Sequence, residues 1–444
     1  MNEIDSRALP PDDPQRLKLH NEVHARPSAR VRLPALISYV ALLNTGITRE
    51  QECEHLRRLP GHTDLSLERL QGNFLRLRCE GYTVKWERHT EFTRYSIVQP
   101  LPAHAGWGAT LPELASHAAT GTDWLRSLPG QTVAAIHLAM LPEGMDDPQL
   151  LERAQQWLGE GMLIGSRMGN TVEGRSHSCL LTHLRIGDDG FERMLVLATA
   201  NTTESRAGRV SQRVLELETY RLMALRGLPV AKQLSPVLAQ AESQLADITA
   251  RLEGQQGGDQ DLLDDLVGLA VRVERATAEH GYRFSATRAY HAVLRERIAE
   301  LRERPLHGTQ TVGEFMQRRV SPAIATVEAT ADRLAALSER VSRTSALLRT
   351  RVDIVTEAQN QQLLEKLTRG QDLQLRLQST VEGLSIAAIS YYVVSLLLYG
   401  AKALKLAGLP IQPELAVGAM IPLVLWGAWR AVQRIHDKLH RYGA

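Results

Sequence analysis

Two histidines near the start of the chain have a spacing that could bind a metal ion. The segment LHNEVHARP, residues 19–27, places His20 and His24 four residues apart. In the HExxH motif, histidines with this separation hold zinc on one helix face, and a glutamate directly after the first histidine acts as the base. Here an asparagine takes that place, and Glu22 lies about 200° around the helix axis from each histidine. The pattern excludes the zincin mechanism and leaves open a two-histidine half-site completed by other residues.

A helix is predicted to carry these histidines. Asp13 has a suitable side chain for an N-cap, and Pro14 suits the first helical position. We expect the helix to continue to Ala25, because the proline after Arg26 disfavours helical backbone before it. Glu22 and Arg26 are four residues apart and can form an ion pair. The alternative interpretation is therefore an anchoring helix whose polar side chains pair locally.

A second polar cluster is KWERHTEF, residues 85–92. In an extended strand, Glu87, His89 and Glu91 would share one face, because alternate side chains point to the same side. Two carboxylates and an imidazole on one face could bind a cation, so a divalent ion is a candidate cofactor. The alternative is a strand edge whose charged residues are exposed to solvent.

Composition limits the partners and the chemistry. The net charge is only +2, and the basic residues are spread along the chain without interleaved aromatic residues, so nucleic acid is not expected as a partner. Cys53, Cys79 and Cys179 form no CxxC pair, which argues against a disulfide framework or a zinc ribbon. The sequence has no Walker A, GxSxG or Gly-rich dinucleotide motif. No spacing selects a catalytic group, and an enzymatic function is not favoured.

Residues 1–200 are predicted to form a cytoplasmic α/β domain with a mixed sheet. FLRLRCE and YTVKWER alternate apolar and polar residues as half-buried strands do, with Gly81 between them as a turn. TVAAIHLAML, from Thr132, is more continuously apolar and is predicted to be a central strand. Further strands are EFTRYSIV, GMLIGSRM, HSCLLTHLRI and FERMLVLA, and helices are expected near 49–59, 111–128 and 148–158.

Helices are predicted for the rest of the chain. Residues 201–310 form amphipathic helices with a flexible break at 254–260. Thr311 and Glu314 form a capping box that starts a long stalk helix over 311–383. Apolar positions recur along it at coiled-coil spacing, interrupted by two serines, at Val320, Ile324, Val327, Ala331, Leu334, Ser338, Val341, Ser345, Leu348, Val352 and Val355. This seam predicts a multi-chain stalk, an intramolecular bundle with the preceding helices, or both.

Two uncharged segments near the C-terminus predict a transmembrane hairpin. The first helix covers 384–401, the outer loop 402–414 and the second helix 415–430, and a basic tail follows over 431–444. Basic residues before the first helix and after the second outnumber those of the loop. The positive-inside tendency then places both termini in the cytoplasm, with the hairpin in the lipid of a bacterial inner membrane.

Four segments give the chain a resemblance to a known family: LHNEVHARP, KWERHTEF, LELETYRLMALRGLP and VEGLSIAAISYYVVSLLLYGAK. They resemble an uncharacterised bacterial membrane-anchored family, named domain of unknown function thirty-four twenty-two, over nearly the whole chain. The resemblance implies a membrane anchor and brings no established activity.

The layout also looks like the CorA type of divalent-cation channel, which implies a homo-oligomer whose first membrane helix lines a pore. That family carries a Gly-Met-Asn signature just outside this helix. The present chain has Gly400 but continues with Ala401 and Lys402. A ring of lysines would repel a cation that an asparagine carbonyl would accept. The resemblance implies pore or outer-loop positions at Ser395, Tyr399, Gly400 and Lys402.

Three functions therefore remain open. The first is a homo-oligomeric, CorA-like membrane protein that conducts or senses ions. The second is a non-transporting, membrane-tethered scaffold or binding module, whose small-molecule or protein ligand the sequence does not identify. The third is a membrane-anchored metal-dependent enzyme that uses His20, Glu22 and His24 or the residues of KWERHTEF.

Overall fold

A computed structural model describes most of the chain and divides it into two compact units. The described residues are 13–17, 19–20, 30–101, 119–142, 149–169, 176–254, 258–406 and 412–442, with side chains described up to residue 434. The first unit comprises Met1–Gln256 and Asp264–Arg343, and the second comprises Gly257–Leu263 and Thr344–Ala444. The division predicted at residue 200 therefore lies within the first unit.

A mixed nine-stranded sheet forms the centre of the first unit, and this confirms the predicted α/β fold class. Its order is β2-β3-β4-β1-β5-β8-β7-β6-β9. Among the described strands, β5 and β8 are parallel neighbours and the remaining neighbours are antiparallel. The strands are β1 Ala35–Leu43, β2 Phe74–Cys79, β3 Tyr82–Arg88, β4 Phe92–Pro100, β5 Gln131–Leu141, β6 Ile164–Met168, β7 Ser178–Ile186, β8 Glu192–Ala198 and β9 Arg304–Pro305.

Two of these strands were missed by the sequence prediction. β1 reads ALISYVALL, and this mostly apolar run shows neither strand alternation nor helical spacing. It nevertheless lies near the middle of the sheet between β4 and β5. β9 has two residues, too few for any periodicity, and it pairs with β6 through Ser166 opposite Pro305.

The helices follow the predicted order. They are α1 Arg49–Arg57, α2 Thr122–Arg126, α3 Leu150–Leu158, α4 Glu204–Leu225, α5 Gly227–Glu253, α6 Asp259–Leu301, α7 Val312–Arg319, α8 Ser321–Leu406 and α9 Pro413–Tyr442, with a short 3₁₀ helix at Leu67–Leu70. The predicted capping box is confirmed at α7, where the Thr311 hydroxyl accepts from the Glu314 amide and the Glu314 carboxylate accepts from the Thr311 amide. The single helix predicted over 311–383 is instead two helices, because α7 ends at Arg319 and α8 begins at Ser321, directly before Pro322.

Both faces of the sheet are buried. Helix α4 packs on one face, where Val210, Val214 and Leu217 meet Ile136 and Leu138. The opposite face carries two apolar clusters, one with α1 and α2 and the other with α3. Because β3 alternates, Val84 and Trp86 enter the cluster of α1 and α2, and Lys85 between them points toward α4.

The heptad seam on α8 is buried over its first part. Val327 and Leu348 are each 0% exposed, and the apolar seam positions between them are buried as well. Val355, the last seam position, is 41% exposed. Helix α5 lies beside this region, since Glu242 accepts a 2.8 Å hydrogen bond from Arg333. Intramolecular packing accounts for the seam as far as Leu348, and the multi-chain stalk stays a prediction.

In the second unit, the C-terminal part of α8 and the following helix α9 are long and apolar enough to cross a membrane. Their most apolar segments have mean hydropathies of 1.8 and 1.6, and 6% of each segment is buried. Leu396 and Leu423, for example, are 70% and 65% exposed. The predicted apolar helix pair is therefore present.

Candidate functional site

A cavity of about 250 Å³ lies between the sheet and the first half of α4. Strands β1 to β4 supply its floor, and Ser211, Gln212 and Leu215 of α4 supply its roof. Its polar centre consists of Lys85 and Glu87 from β3 with Arg94 and Ser96 from β4. The cavity is thus a small, partly open space with charged groups at its base.

Strand register brings these charged groups together. Lys85 lies opposite Ser96, and Glu87 lies opposite Arg94, across the antiparallel pair β3–β4. Directly opposed side chains on one face of a sheet have Cβ atoms roughly 4.5–5.5 Å apart. The alternation that buries Trp86 on the far side of the sheet therefore directs Lys85 and Glu87 into the cavity.

The central charges form a continuous network. The Lys85 Nζ lies 3.1 Å from Glu87 Oε2, and Arg94 Nε contacts the same carboxylate oxygen. Arg94 extends the network to α4, where its Nη1 donates to Glu216 Oε1 at 3.1 Å. The side chains of Lys85, Glu87, Arg94 and Glu216 are all buried. Each buried charge thus has an opposite charge beside it, which offsets the cost of removing it from water.

A second layer of polar groups fixes Glu216 and the sheet. Gln212 Nε2 and Arg297 Nε each donate to the Glu216 carboxylate at 2.8 Å. On β1, the Tyr39 hydroxyl forms a 2.7 Å hydrogen bond with the Thr219 hydroxyl of α4. Helices α4 and α6 are therefore tied to the base of the cavity by hydrogen bonds as well as apolar packing.

Burial and pairing shift the titration of these groups. Burial alone would raise the pKa of Glu87, but Arg94 and Lys85 outweigh it and lower the pKa below its ordinary value. The pKa of Lys85 is also lowered, because burial is the largest influence and Glu87 offsets it only in part. Burial raises the pKa of Tyr39 to about 12. Lys85 is thus the cation of the network that loses its proton most readily, since the pKa values of Arg94 and Arg297 are raised.

The rim and walls indicate the kind of ligand that the cavity suits. Arg30 and Arg76 are exposed at its edge, and neither forms an ion pair within the described part of the chain. The walls include the apolar side chains of Ile37, Phe74 and Val98. Because the four buried charges balance one another, the two rim arginines leave an excess of positive charge. A small organic anion with an apolar body matches this arrangement.

The structure separates the predicted residues of KWERHTEF. Strand β3 ends at Arg88, so His89 and Glu91 lie in the turn before β4, and the expected common face does not form. Glu87 is 1% exposed, so the alternative of an exposed strand edge is also wrong for this residue. Among the described residues, no three His, Cys, Asp or Glu side chains are arranged to hold a metal ion.

His89 and Glu91 take other positions. His89 stacks on Phe92 with ring centroids 4.4 Å apart and lines a second, more open cavity of about 590 Å³. Glu91 accepts two hydrogen bonds from Arg283 Nη2, at 2.6 and 2.7 Å. These contacts give Glu91 a structural partner on α6 and place His89 outside the charged network.

The first histidine cluster is only partly described. The Asp13 carboxylate accepts a 2.7 Å hydrogen bond from the Gln15 amide, which confirms the predicted N-cap. His20 is helical and exposed. Glu22, His24 and Arg26 lie outside the described residues.

The predicted pore or outer-loop positions lie on α8. Tyr399 is 70% exposed, Gly400 and Lys402 are exposed, and Ser395 is half-buried. Ser395 and Lys402 are seven residues apart, and Tyr399 is seven residues from Tyr392. Residues at heptad spacing lie on one side of a helix, so these hydroxyl groups and the lysine form one stripe.

Sequence reasoning missed most of the charged network. Arg94 stands in the middle of the predicted strand EFTRYSIV, and Glu216 stands among apolar residues in LELETYR. A charged residue inside an otherwise apolar element signals a buried partner, since an unpaired buried charge is costly. That signal could have identified both residues as site candidates, although not their pairing.

The protein is an α/β protein with a partly open charged cavity in its sheet unit and two long apolar helices toward the C-terminus. The sequence profile of the family described as protein of unknown function (DUF3422) matches residues 11–439. The chain therefore belongs to this family. No curated protein and no solved structure matches the chain.

Proposed function

We propose that this protein is a membrane-tethered binding module whose α/β unit binds a small organic anion. The carrying observation is the cavity under α4, where a preorganised network of buried charges faces apolar walls and two rim arginines. Ligand sites combine such apolar walls with a few well-placed polar groups. A cavity of about 250 Å³ suits a ligand smaller than a typical drug.

The tether is the helix pair formed by the end of α8 and α9. Exposed apolar side chains such as Leu396 and Leu423 favour contact with lipid. The basic residues that flank the pair favour a cytoplasmic location for both termini at a bacterial inner membrane. In this arrangement the cavity binds its ligand on the cytoplasmic side.

The binding proposal is tested on the full chain in detergent with a series of carboxylates from acetate to phenylacetate, inorganic phosphate and the matching alcohols. We expect carboxylates with a short apolar body to raise the thermal unfolding midpoint, and the alcohols to have no effect. Arg76→Gln should weaken carboxylate binding about tenfold or more, since a charge-assisted hydrogen bond contributes roughly 1.5–3 kcal/mol. Arg69→Gln, at an exposed position outside the cavity, is the matched control.

Two results would contradict the proposal. The first is that no carboxylate or phosphate changes the unfolding midpoint. The second is that Arg76→Gln and Arg69→Gln bind the carboxylates equally well, because the anion would then not be held at the cavity rim.

A second candidate function is CorA-like ion conduction by a homo-oligomer. The observation that favours it is the stripe of Tyr392, Ser395, Tyr399 and Lys402 on an otherwise apolar part of α8, where Tyr392 and Tyr399 are 67% and 70% exposed. Self-association through this stripe would place hydroxyl groups around a central axis.

Conduction is tested with the purified oligomer in liposomes. We expect a flux of monovalent or divalent cations that increases in Lys402→Asn, because that change removes a ring of positive charge from the outer end of the pore. A properly assembled oligomer that passes no tested ion, as wild type or as Lys402→Asn, would exclude conduction.

A further inference from the structure

Lysine is rare in this chain, and one lysine stands in the cavity. Seven of the 52 basic side chains are lysines, and arginine supplies the others. Within the described part of the chain, Lys232, Lys366, Lys402 and Lys405 are exposed, whereas Lys85 is 8% exposed. Lys85 is therefore a buried lysine that lines the cavity, so its amine would lie next to a ligand bound there.

A lysine at this position offers chemistry that arginine lacks. Arginine is the better residue for a purely structural buried ion pair, because its planar guanidinium binds a carboxylate through two hydrogen bonds and stays charged. A lysine amine can lose its proton and act as a nucleophile. The neighbouring Arg94 has this structural role, because it forms ion pairs with both Glu87 and Glu216.

The geometry also permits Lys85 to become neutral. Glu87 is shared between Lys85 and Arg94, so it keeps one cationic partner when the Lys85 amine is deprotonated. Burial lowers the pKa of Lys85, and Glu87 offsets this only in part. The centroid of the Phe74 ring lies 5.5 Å from Nζ, so this ring covers one side of the amine. A neutral amine is therefore accessible without leaving a buried carboxylate unpaired.

We propose that Lys85 condenses reversibly with the carbonyl carbon of a small 2-oxo acid to form a Schiff base. This inference rests on the proposed function, because it names the chemical class of the anion that the cavity binds. The rim arginines Arg30 and Arg76 would bind the carboxylate, and the apolar walls would enclose a short side chain. In this orientation the ketone carbon of the 2-oxo acid, which is bonded to the carboxylate, would lie next to the Lys85 Nζ.

The step balances within the cavity. The neutral amine attacks the carbonyl carbon, a C–N bond forms, and the carbonyl oxygen leaves as water after taking up two protons. Ammonium and ketone are consumed, iminium and water are formed, and no net proton or electron is exchanged. Glu87, 3.1 Å from Nζ, can accept the amine proton and return it to the departing oxygen. The iminium keeps the positive charge that Glu87 and Glu216 require for balance.

The experiment uses the full chain in detergent with pyruvate, 2-oxobutyrate and their 2-hydroxy counterparts, in the presence of cyanoborohydride. Reduction makes the Schiff base permanent, and peptide mapping by mass spectrometry locates it. We expect one adduct, at Lys85, with the oxo acids and none with the hydroxy acids. Lys85→Arg should reduce trapping at least tenfold, and the exposed control Lys232→Arg should leave it unchanged.

Binding is measured alongside trapping so that the two proposals can fail separately. Lys85→Arg keeps the charge, and its unfolding midpoint shows whether the variant is folded. Binding of oxo and hydroxy acids without any adduct overturns the Schiff base and leaves the anion site intact. Adducts spread evenly over the exposed lysines also overturn it. If neither class of acid binds, both proposals fail.

Discussion

Glu87 and Arg94 lie directly opposite each other on β3 and β4 and form a buried ion pair, since they are 1% and 4% exposed. Arg94 also binds Glu216 of α4, which in turn binds Arg297 of α6. The pair thus connects a sheet hairpin to two helices that follow it much later in the chain. Its position makes it both the base of the cavity and a structural link.

Glu87→Gln is expected to lower the free energy of unfolding by about 3 kcal/mol or more. The substitution leaves Lys85 and Arg94 as two buried cations with one carboxylate removed, and breaking a buried pair typically costs 3–5 kcal/mol. Urea unfolding of the full chain, followed by tryptophan fluorescence, measures the change, because Trp86 is a neighbour of Glu87 on β3.

Glu339→Gln is the matched control for this prediction. Glu339 pairs with Arg343 on the surface of α8, where the two side chains are 69% and 61% exposed. Exposed pairs contribute little, so the expected change is below about 0.5 kcal/mol. Equal effects of the two substitutions would show that the buried network is not a structural link.

His55 is expected to make the first unit less stable in acid. Burial is the main cause that lowers its pKa from 6.5 to about 4, and within the described residues neither ring nitrogen has a hydrogen-bond partner. The unfolded chain therefore binds a proton more readily than the folded chain between pH 6.5 and about 4. Stability is highest above this range and falls as the pH decreases through it, by up to about 3 kcal/mol.

His55→Phe tests this dependence. Phenylalanine keeps an aromatic ring beside Trp124, whose centroid lies 4.5 Å from that of His55, and removes the ionisable group. The fall in unfolding midpoint across the acidic range should become smaller in this variant. His307→Phe changes an exposed histidine and should retain the wild-type dependence. An unchanged pH profile in His55→Phe would refute the assignment.

Shortening a side chain of the α8 seam is expected to reduce stability strongly at a buried position and weakly at a more exposed one. Val327→Ala and Val355→Ala make the same chemical change at buried and half-exposed seam positions, since the side chains are 0% and 41% exposed. Loss of two buried methyl groups should cost about 2 kcal/mol at Val327 and less than about 0.5 kcal/mol at Val355. A large cost at Val355 that grows with protein concentration would instead favour a multi-chain stalk.

Charged residues in the apolar helices should prevent membrane association. The double variant Leu396→Arg with Leu423→Arg places one arginine in each helix. An arginine at the centre of a membrane helix raises the free energy of insertion by roughly 2.5–3.5 kcal/mol. We expect the double variant to leave the membrane fraction under alkaline carbonate extraction. Leu367→Arg with Leu373→Arg, at exposed positions of α8 before the apolar segment, should stay in that fraction. Membrane retention of both double variants would contradict a lipid-embedded helix pair.

Sequence patterns predicted the local elements well and the long-range contacts poorly. Alternation in FLRLRCE and YTVKWER identifies β2 and β3, and the capping box at Thr311 identifies the start of α7, because both depend on neighbours within a few residues. β1 lacks such a pattern because both faces of this strand are buried, so polar residues do not alternate along it.

The site depended on contacts that periodicity does not contain. The pattern KWERHTEF predicts a polar site that includes Glu87, and Glu87 does line the cavity. The chain turns after Arg88, however, so the three predicted residues separate, and Glu87 instead meets Arg94 and Lys85. The link from Arg94 to Glu216 spans more than a hundred residues of sequence, and only tertiary packing brings the two together.

The pairing of β9 with β6 has a consequence for the timing of folding during synthesis. β6 ends at Met168, but its neighbour at the sheet edge begins at Arg304, and the Ser166 hydroxyl accepts from the Val312 amide. At roughly 5–20 residues per second, a ribosome needs on the order of 10–30 s to supply that neighbour. The backbone of β6 stays open at one edge for this interval. Nascent chains stalled before Arg304 should be cut by protease near β6, and chains stalled well beyond α7 should resist; equal resistance of both would refute this order.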